Sequence, residues 1–424
     1  MKAKSGSRLH VAIYYSLYVL LVLSICGLFL SSRFPGIWKV YSEVYLVTVI
    51  TYMWYAFILL YLGERKVAKT SRQVSYDGGS IAVLMPVYNE APRLFLAALQ
   101  SVIKCEGNKM IFVLDDGTTN KTNWTALKAI CERDGVQFVP FPKNRGKRHV
   151  LHDGIKLLKK RYDYVVTIDS DTILDKKALV NIVSALSDPR VGAASGNVRA
   201  INEHQNWLTK MQASYYWIAL EICKSAQSTI GMVACCSGCL SAYRGSLVDS
   251  IIDEYVNETF LGAPCTHSED RHLTNLVLRE GYNVKYVSSA ISYTHTPATL
   301  KGFLKQQLRW RRGYIQESTF LLTFAWHKHK VLFFQTLLYD LTMPFLTFGL
   351  AISTILLFIK SPSSLPVALV MILLITCIRN LPLILRNPKK IPGMIVFTLL
   401  SDVILYWQNI YALFTTKKKG WLTR

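Results

Sequence analysis

The chain changes from polar to apolar at one stretch, Leu300-Lys-Gly-Phe-Leu-Lys-Gln-Gln-Leu-Arg-Trp-Arg-Arg-Gly313. Leucine and phenylalanine recur here at helical spacing. The positions between them carry Lys301, Lys305, Arg309 and Arg312. A basic amphipathic helix of this kind suits the headgroup layer of a cytoplasmic leaflet. We therefore predict that residues 300–330 form interface helices between a soluble domain and a membrane region.

The composition indicates which partners to expect. The 424 residues carry a formal net charge of +22 at pH 7, and 51% of them are hydrophobic. A positive net charge of this size is typical of proteins that bind nucleic acid, anionic lipid or a phosphorylated ligand. The basic residues are scattered and accompany no nucleic-acid-binding motif. We expect a lipid bilayer and a phosphate-rich ligand as partners, with no nucleic acid and no obligate protein partner.

Two apolar runs precede the polar region. They extend over Val11–Leu30 and Val44–Leu62, and each is close to the ~20 residues that cross a bilayer. Basic residues flank the outer ends of both runs, which by the positive-inside rule places those ends in the cytosol. We predict a transmembrane hairpin over residues 1–66 and a cytosolic domain over residues 67–299.

Further apolar runs fill residues 331–416. We predict crossings at Leu341–Ile359 and Leu365–Leu385. If Ile391–Phe414 also crossed, the lysine-rich tail of residues 417–424 would lie outside, against the positive-inside rule. The last run is therefore predicted to be re-entrant or interfacial. The expected location is the plasma membrane, multi-pass, with the catalytic domain and both termini cytosolic.

The polar region alternates short apolar strands with helical patterns. Strands are predicted at Ile81–Pro86, Met110–Leu114 and Tyr164–Ile168, and helices at Arg93–Lys104 and Trp124–Arg133. Such alternation is typical of a parallel α/β sheet, which binds ligands at the carboxyl ends of its strands.

Polar side chains follow each of these three strands. They are Tyr88, Glu90, Asp115, Asp116, Asp169 and Asp171. Two carboxylates spaced as in Asp169-x-Asp171 can face Mg²⁺ or Mn²⁺, although a solvated acidic turn gives the same pattern. Asp115 and Asp116 could accept hydrogen bonds from a uracil or a ribose.

Three other segments could carry chemistry. Asn144–Arg148 places cations and Gly146 where a diphosphate could approach, or is only a basic loop. Glu269-Asp270 opens a helical stretch and could supply a general base or merely complement the helix dipole. Cys236-Ser237-Gly238 is a small-residue turn that could pack simply, or form a floor for a sugar ring.

In this order, the motifs of the chain resemble those of processive family 2 glycosyltransferases over about Ile81–Gly313. They are Asp115-Asp116, Asp169-x-Asp171, Glu269-Asp270 and Gln306-x-x-Arg309-Trp310. The resemblance is greatest to the hyaluronan synthases, followed by the chitin synthases and the bacterial nodulation N-acetylglucosaminyltransferases. It implies an α/β GT-A glycosyltransferase domain inserted between α-helical transmembrane segments.

The resemblance also implies the reaction. A UDP-sugar would be transferred with inversion, with Mg²⁺ or Mn²⁺, to a growing polysaccharide that is secreted. Hyaluronan, made from UDP-N-acetylglucosamine and UDP-glucuronate, is the expected product. The alternatives are chitin or poly-N-acetylglucosamine, made from UDP-N-acetylglucosamine alone, and transfer onto a lipid phosphate. A transporter with a regulatory nucleotide domain would explain the spans but not the carboxylates.

Finally, the resemblance implies roles for individual residues. Those binding the donor would be Tyr88, Glu90, Asp115, Lys147, Asp169, Gln306, Trp310, Trp421, Thr423 and Arg424. Those binding the acceptor would be Cys236, Ser237, Gly238 and Trp310. Asp171 would bind the metal, Asp270 would be the base, and Glu269 and Arg309 would join it in catalysis. Trp421, Thr423 and Arg424 resemble a gating motif of hyaluronan synthases, in which glycine stands where this chain has Leu422.

Overall fold

The computed structural model describes residues 36–69, 76–360 and 386–418, with scattered positions between 362 and 383. The predicted span Val11–Leu30, most of Leu365–Leu385 and the last six residues lie outside the described residues. The chain divides into two compact units. The sheet unit comprises residues 72–203, 230–297 and 417–424. The helical unit comprises residues 1–71, 204–229 and 298–416.

Ten strands lie in the described part of the sheet unit. They are β1 (Ile81–Val87), β2 (Lys109–Asp115), β3 (Gln137–Pro140), β4 (Tyr164–Thr167), β5 (Ile173–Leu174), β6 (Val191–Ala200), β7 (Ser241–Arg244), β8 (Thr259–Phe260), β9 (Ala263–Pro264) and β10 (Asn283–Thr294). Eight of them form one sheet in the order β3-β2-β1-β4-β7-β6-β10-β5, and β8 pairs with β9.

The helices are numbered along the whole chain. The described α-helices are α1 (Ile37–Lys69), α2 (Pro92–Ile103), α3 (Lys121–Arg133), α4 (Lys147–Leu157), α5 (Ala178–Ser184), α6 (Trp207–Trp217), α7 (Ser225–Thr229), α8 (Gly245–Val256), α9 (Glu269–Arg279), α10 (Leu300–Lys328), α11 (Lys330–Phe334), α12 (Met343–Lys360), α13 (Ile391–Leu400) and α14 (Tyr406–Phe414). Three π-helical segments interrupt the helical unit, at Ile218–Lys224, Gln335–Thr342 and Ser401–Leu405.

The core of the sheet unit lies between the sheet and its helices. Strand β1 is buried along almost its whole length, and Phe95 and Leu99 of α2 pack into the same cluster as Val113 of β2. A parallel sheet buried on both faces needs apolar residues at successive positions, which is why these strands appear as continuous apolar runs in the sequence.

The predicted strands and helices of this region are confirmed, each within three residues at either end. Strand β1 pairs in parallel with β2 and β4. The prediction of a wholly parallel sheet is wrong, because β7 runs antiparallel between β4 and β6. The sequence of a four-residue strand such as β7 does not indicate whether it runs parallel or antiparallel to its neighbours.

The helical unit contains long apolar helices. Among the described residues, two segments are long and apolar enough to cross a membrane, Ser42–Leu59 and Lys330–Gly349. The first lies within α1 and overlaps the predicted span at Val44–Leu62. The second begins earlier than the predicted Leu341–Ile359. Side chains of α1 pack against Met343 at the start of α12.

The polar-to-apolar stretch of residues 300–313 opens helix α10, a single helix of 29 residues. Phe303 is fully buried, and Lys301 and Lys305 are exposed. The prediction that Arg312 belongs to the polar face is wrong, because its side chain is only 3% exposed. Its Nε donates to Oγ1 of Thr415, 3.1 Å away. Helix α10 packs against α14, and this contact covers a side chain that would be exposed on an isolated helix.

Candidate active site

The carboxyl ends of β1, β2 and β4 lie at one edge of the sheet. The register pairs Val87 with Asp115, and Leu84 with Thr167, so the polar segments after the three strands are neighbours. Asn89 joins the first two segments: its backbone is left-handed (φ 50°), and its Oδ1 accepts from the N–H groups of Thr119 and Asn120.

The two carboxylates that end β2 have different surroundings. Asp115 is buried, and its Oδ1 accepts from the N–H of Thr118, 3.2 Å away. Asp116 accepts from the N–H groups of Arg145 and Gly146, at 2.8 and 2.9 Å. Burial raises the pKa of both carboxyl groups above the ordinary range. Asp116 therefore fixes the backbone of the basic loop, while Asp115 lies buried at the carboxyl end of β2.

Lys147, the first residue of α4, forms the centre of a charged cluster. Its Nζ lies 2.5 Å from Oδ1 of Asp169 and 3.3 Å from Oε1 of Glu269. Burial favours the neutral amine, but these carboxylates outweigh it and raise the pKa of Lys147 above its ordinary value. The side chain is therefore a fixed ammonium group at neutral pH.

Gly238 connects this cluster to Asp270. Its N–H donates to Oδ2 of Asp270, 3.2 Å away, and Oδ1 of the same carboxylate accepts from the N–H of Arg271 at 2.8 Å. A Cβ atom at position 238 would lie 2.6 Å from Nζ of Lys147. Only glycine fits here without displacing the ammonium group. The structure thus brings Lys147, Asp169, Glu269 and Asp270 together around Gly238.

The neighbouring residues of the turn are held by backbone hydrogen bonds. Cys236 is fully buried, and its N–H donates to Oγ1 of Thr274 at 2.9 Å. Ser237 donates its N–H to Oγ of Ser195 at 3.4 Å. Oγ1 of Thr274 in turn donates to the backbone oxygen of Asp270 at 2.7 Å. Thr274 therefore connects the turn to the helix that carries Asp270.

Two supporting residues of the site were not predicted. Thr274 stands four residues after Asp270, a helical spacing that could have indicated a shared face. Ser170 stands between the two carboxylates of Asp169-x-Asp171, and its buried hydroxyl donates to Oε2 of Glu90 at 2.7 Å. It joins the segments after β1 and β4. A serine between two aspartates carries no comparable signal.

The carboxylates after β4 fit a hard cation by their chemistry. Asp169 binds the ammonium group of Lys147, and Asp171 is half-buried. Burial and the charges of Asp169 and Asp171 raise the pKa of the nearby Cys239 thiol, so the thiol remains protonated. The ligand atoms offered to Mg²⁺ or Mn²⁺ are then carboxylate oxygens, which these ions prefer.

The cations of the basic loop have different surroundings. Arg145 pairs with Asp153. Arg148 is only 5% exposed; its NH1 lies 2.5 Å from Oε2 of Glu258 and 3.0 Å from the carbonyl oxygen of Tyr255. Among the described cations of this loop, Lys147 is the one that joins the carboxylate cluster. Successive residues of a helix point about 100° apart, so adjacent cations face different surroundings.

The remaining predicted residues lie in the helical unit or outside the described residues. Gln306, Arg309 and Trp310 are half-buried on α10. The ring of Trp310 lies 6.5 Å from that of Tyr216, with the planes inclined at 36°. Two aromatic faces at this spacing could contact a sugar ring. The last three predicted donor-binding residues, Trp421, Thr423 and Arg424, lie beyond the described residues.

The chain is similar to known proteins over most of its length. Residues 164–381 match the family described as Glycosyl transferase family group 2. An N-acetylglucosaminyltransferase of Azorhizobium caulinodans is 32% identical over 354 residues, which is 81% of this chain and 87% of that protein. Hyaluronan synthase 3 of Mus musculus is 33% identical over 283 residues, which is 66% of this chain and 50% of that protein.

The fold is also shared with a solved structure. A mannosyltransferase of Pyrobaculum calidifontis, in complex with GDP-Man and Mn²⁺, superposes with a TM-score of 0.63 at 18% sequence identity. The superposition covers 94% of this chain and 98% of the other. The chain therefore has a GT-A-like glycosyltransferase fold, as the resemblance led us to expect, and its sheet is mixed rather than parallel.

Proposed function

Because this chain belongs to glycosyl transferase family group 2, and is thus a glycosyltransferase, we propose that it transfers N-acetylglucosamine from UDP-N-acetylglucosamine to a growing polysaccharide. The observation that carries the proposal is the cluster around Gly238. It holds a fixed cation, Lys147, and a carboxylate, Asp270, against one small residue. The relatives named N-acetylglucosaminyltransferase support the choice of sugar.

The donor lies, in this proposal, across the carboxyl edge of the sheet. Asp115 forms the floor for the uridine, with Tyr88 and Glu90 on the neighbouring segment. Lys147 supplies positive charge to the diphosphate, and Asp169 positions Lys147 through their 2.5 Å ion pair. Because burial makes an ion pair stronger than the same pair in water, the ammonium group is held in place before the donor arrives.

Asp270 is the general base. Glu269 is buried and bound to Lys147, so of the two adjacent carboxylates Asp270 is the one aimed at the Gly238 turn. Asp270 takes the proton of an acceptor hydroxyl as its oxygen bonds to the anomeric carbon, and the bond to UDP breaks on the opposite face. The result is inversion by single displacement. The Cys236-Ser237-Gly238 turn is the floor for the acceptor.

A bound Mg²⁺ or Mn²⁺ would offset negative charge on the diphosphate. Asp171 is the residue that would hold it, through a carboxylate oxygen. Gln306, Arg309 and Trp310 keep the roles that the resemblance gives them: Gln306 binds the donor, Arg309 takes part in catalysis, and Trp310 contacts both the donor and the acceptor sugar. The three residues Trp421, Thr423 and Arg424 are proposed to contact the donor in the same way.

We further propose that the enzyme is embedded in a membrane and secretes its product. The support is the presence of two segments, on either side of the sheet unit in the sequence, that are long and apolar enough to cross a bilayer. A second candidate product is hyaluronan, which the similarity to mouse hyaluronan synthase 3 favours. The two candidates differ in whether UDP-glucuronate is a second donor.

The test is UDP release by the detergent-purified protein with Mg²⁺ or Mn²⁺. The donors are UDP-N-acetylglucosamine alone, UDP-glucuronate alone, and both together. Sustained release and a high-mass product with UDP-N-acetylglucosamine alone would support the first candidate. A requirement for both donors would mean hyaluronan synthesis. If the protein releases UDP under none of these conditions, while remaining folded, both candidates are wrong.

Replacing Lys147 with methionine should weaken donor binding. The change removes the ammonium group from Asp169 and Glu269, and with it the positive charge offered to the diphosphate. Charge-assisted contacts of this kind contribute about 1.5–3 kcal/mol, so we expect the donor KM to rise by about 10- to 100-fold. The measurement is the initial rate of UDP release as a function of donor concentration.

Lys156→Met is the matched control, because Lys156 lies on the same helix, is half-exposed and pairs with Asp253 at the surface. Its KM should stay within about twofold of wild type, as expected of a surface ion pair. An unchanged donor KM in Lys147→Met would show that Lys147 does not bind the donor.

A further inference from the structure

A buried histidine near the site, His267, binds the backbone of Lys418. His267 lies in the loop between β9 and α9, two residues before Glu269, and its side chain is only 1% exposed. Its Nε2 lies 3.1 Å from the backbone oxygen of Lys418. A carbonyl oxygen can only accept, so Nε2 carries a proton and donates. The bond joins positions that are 151 residues apart in the chain.

The loop that carries His267 is fixed on its other side by the basic loop. The backbone oxygen of His267 accepts from NH2 of Arg148, 3.2 Å away. Arg148 directly follows Lys147, whose Nζ binds Asp169 and Glu269. A displacement of His267 would therefore be transmitted to the helix start that carries Lys147.

The residue after His267 makes this connection stiff. Ser268 caps α9 with a left-handed backbone (φ 54°, ψ 42°), a conformation that costs a non-glycine residue about 1–3 kcal/mol and persists where its surroundings impose it. Glu269 and Asp270 follow at once. The backbone conformation of Ser268 thus links the position of His267 to the direction in which α9, with Asp270, begins.

We propose that His267 is a positioning residue: by donating to the carbonyl oxygen of Lys418, it fixes the chain at Lys418 beside the Glu269–Asp270 segment and couples the two. The inference rests on the proposed function, in which Asp270 and Lys147 act on a UDP-sugar. Docking of the segment at Lys418 then favours the arrangement of the site that binds the donor, and its release loosens that arrangement.

The first experiment measures proteolysis and does not depend on enzyme activity. Trypsin cleaves after lysine, and Lys417 and Lys418 are both exposed, while the backbone oxygen of Lys418 is bound by the imidazole of His267. His267→Leu removes the donor, whereas His267→Gln places an amide N–H near the position of Nε2. Loss of one hydrogen bond of about 1 kcal/mol should speed cleavage after Lys417 and Lys418 by about 5- to 10-fold in His267→Leu.

Cleavage in His267→Gln should stay within about twofold of wild type, since a neutral hydrogen bond is retained. His295→Leu, at an exposed position, is the matched control and should not change it. The rates are followed by mass spectrometry of the released C-terminal peptide. Equal cleavage rates in His267→Leu and wild type would overturn the proposal.

The second experiment measures coupling. His267→Leu should raise the donor KM several-fold and leave kcat little changed. The change should persist in a protein truncated after Lys419, which keeps Lys418 but lacks Trp421, Thr423 and Arg424, and should disappear in a protein truncated after Thr416, which lacks Lys418 as well. If His267→Leu has the same effect in the protein truncated after Thr416 and in the full-length protein, His267 acts on its own loop alone and the proposal is wrong. If even the wild-type protein releases no UDP, the proposed function fails, while the cleavage rates still decide whether His267 holds the segment.

Discussion

Asp270→Asn is expected to lower glycosyl transfer by about 10²–10⁴-fold, the range for loss of a general base, while leaving donor affinity close to wild type. The carboxylate accepts from the N–H of Gly238 through Oδ2 and from the N–H of Arg271 through Oδ1. Asparagine has the same shape and keeps one of these acceptors. The site should therefore stay folded but lose the group that takes the proton of the acceptor hydroxyl.

Two measurements separate catalysis from binding in this variant. UDP release reports transfer, and calorimetric titration with UDP reports the affinity of the donor site. The matched control is Asp253→Asn, because Asp253 is exposed and pairs with Lys156 away from the cluster; its rate should stay within about twofold of wild type. Retention of polymer synthesis by Asp270→Asn would exclude Asp270 as the base.

Arg148→Met is expected to destabilise the protein by about 3–5 kcal/mol, the usual effect of removing one partner of a buried ion pair. The side chains of Arg148 and Glu258 are 6% and 7% exposed and lie 2.5 Å apart. Arg148 supplies the positive charge that faces Glu258 in the native protein. His272 lies 3.5 Å from the same carboxylate, but burial lowers the pKa of its imidazole to about 4 there, so it is neutral at pH 7.

The change should lower Tm by about 6–20 °C, since 1 kcal/mol corresponds to about 2–4 °C in domains of 150–250 residues. Thermal unfolding of the purified protein, followed by tryptophan fluorescence, measures this. Arg145→Met is the control from the same loop, because Arg145 is partly exposed in its pair with Asp153 and should contribute less than about 1 kcal/mol.

The double variant Arg148→Met, Glu258→Leu distinguishes a lost charge from lost packing. Replacing both members of a buried pair with apolar side chains is often nearly neutral, so most of the stability should return. A single variant with the wild-type Tm would show that the ion pair does not stabilise the native state. If the double variant is as unstable as the single one, the backbone bonds from Arg148 to Tyr255 and His267 are the larger contribution.

The predictions for Lys147 and Arg148 concern adjacent residues of one loop. Lys147 faces the carboxylates of the site, and Arg148 faces the interior and holds the loop that leads to Asp270. An activity change at position 147 and a stability change at position 148 would show that neighbouring cations in one basic loop have separate roles. The resemblance assigned a role to Lys147 alone, and the structure shows what Arg148 contacts.

Much of the sheet unit was predictable from local sequence. The strands Ile81–Val87 and Lys109–Asp115 are continuous apolar runs, and the helices between them have apolar residues at helical spacing. The carboxylates Asp115 and Asp169 stand directly after such strands. Because the carboxyl ends of parallel strands meet at one edge, their proximity followed from the pattern before any coordinate was known.

The sequence by itself therefore determined the α/β class, the strand-end carboxylates and the family. Only the tertiary structure decided that β7 is antiparallel, that Arg148 and Arg312 are buried, and that α6 packs with α13 in the helical unit. The reason is the separation, along the chain, of the residues that interact. A helix or strand pattern is set by residues within a few positions, whereas the carbonyl oxygens that bind Arg148 lie 107 and 119 residues away. Which side chain meets which partner at that separation depends on how the whole core packs.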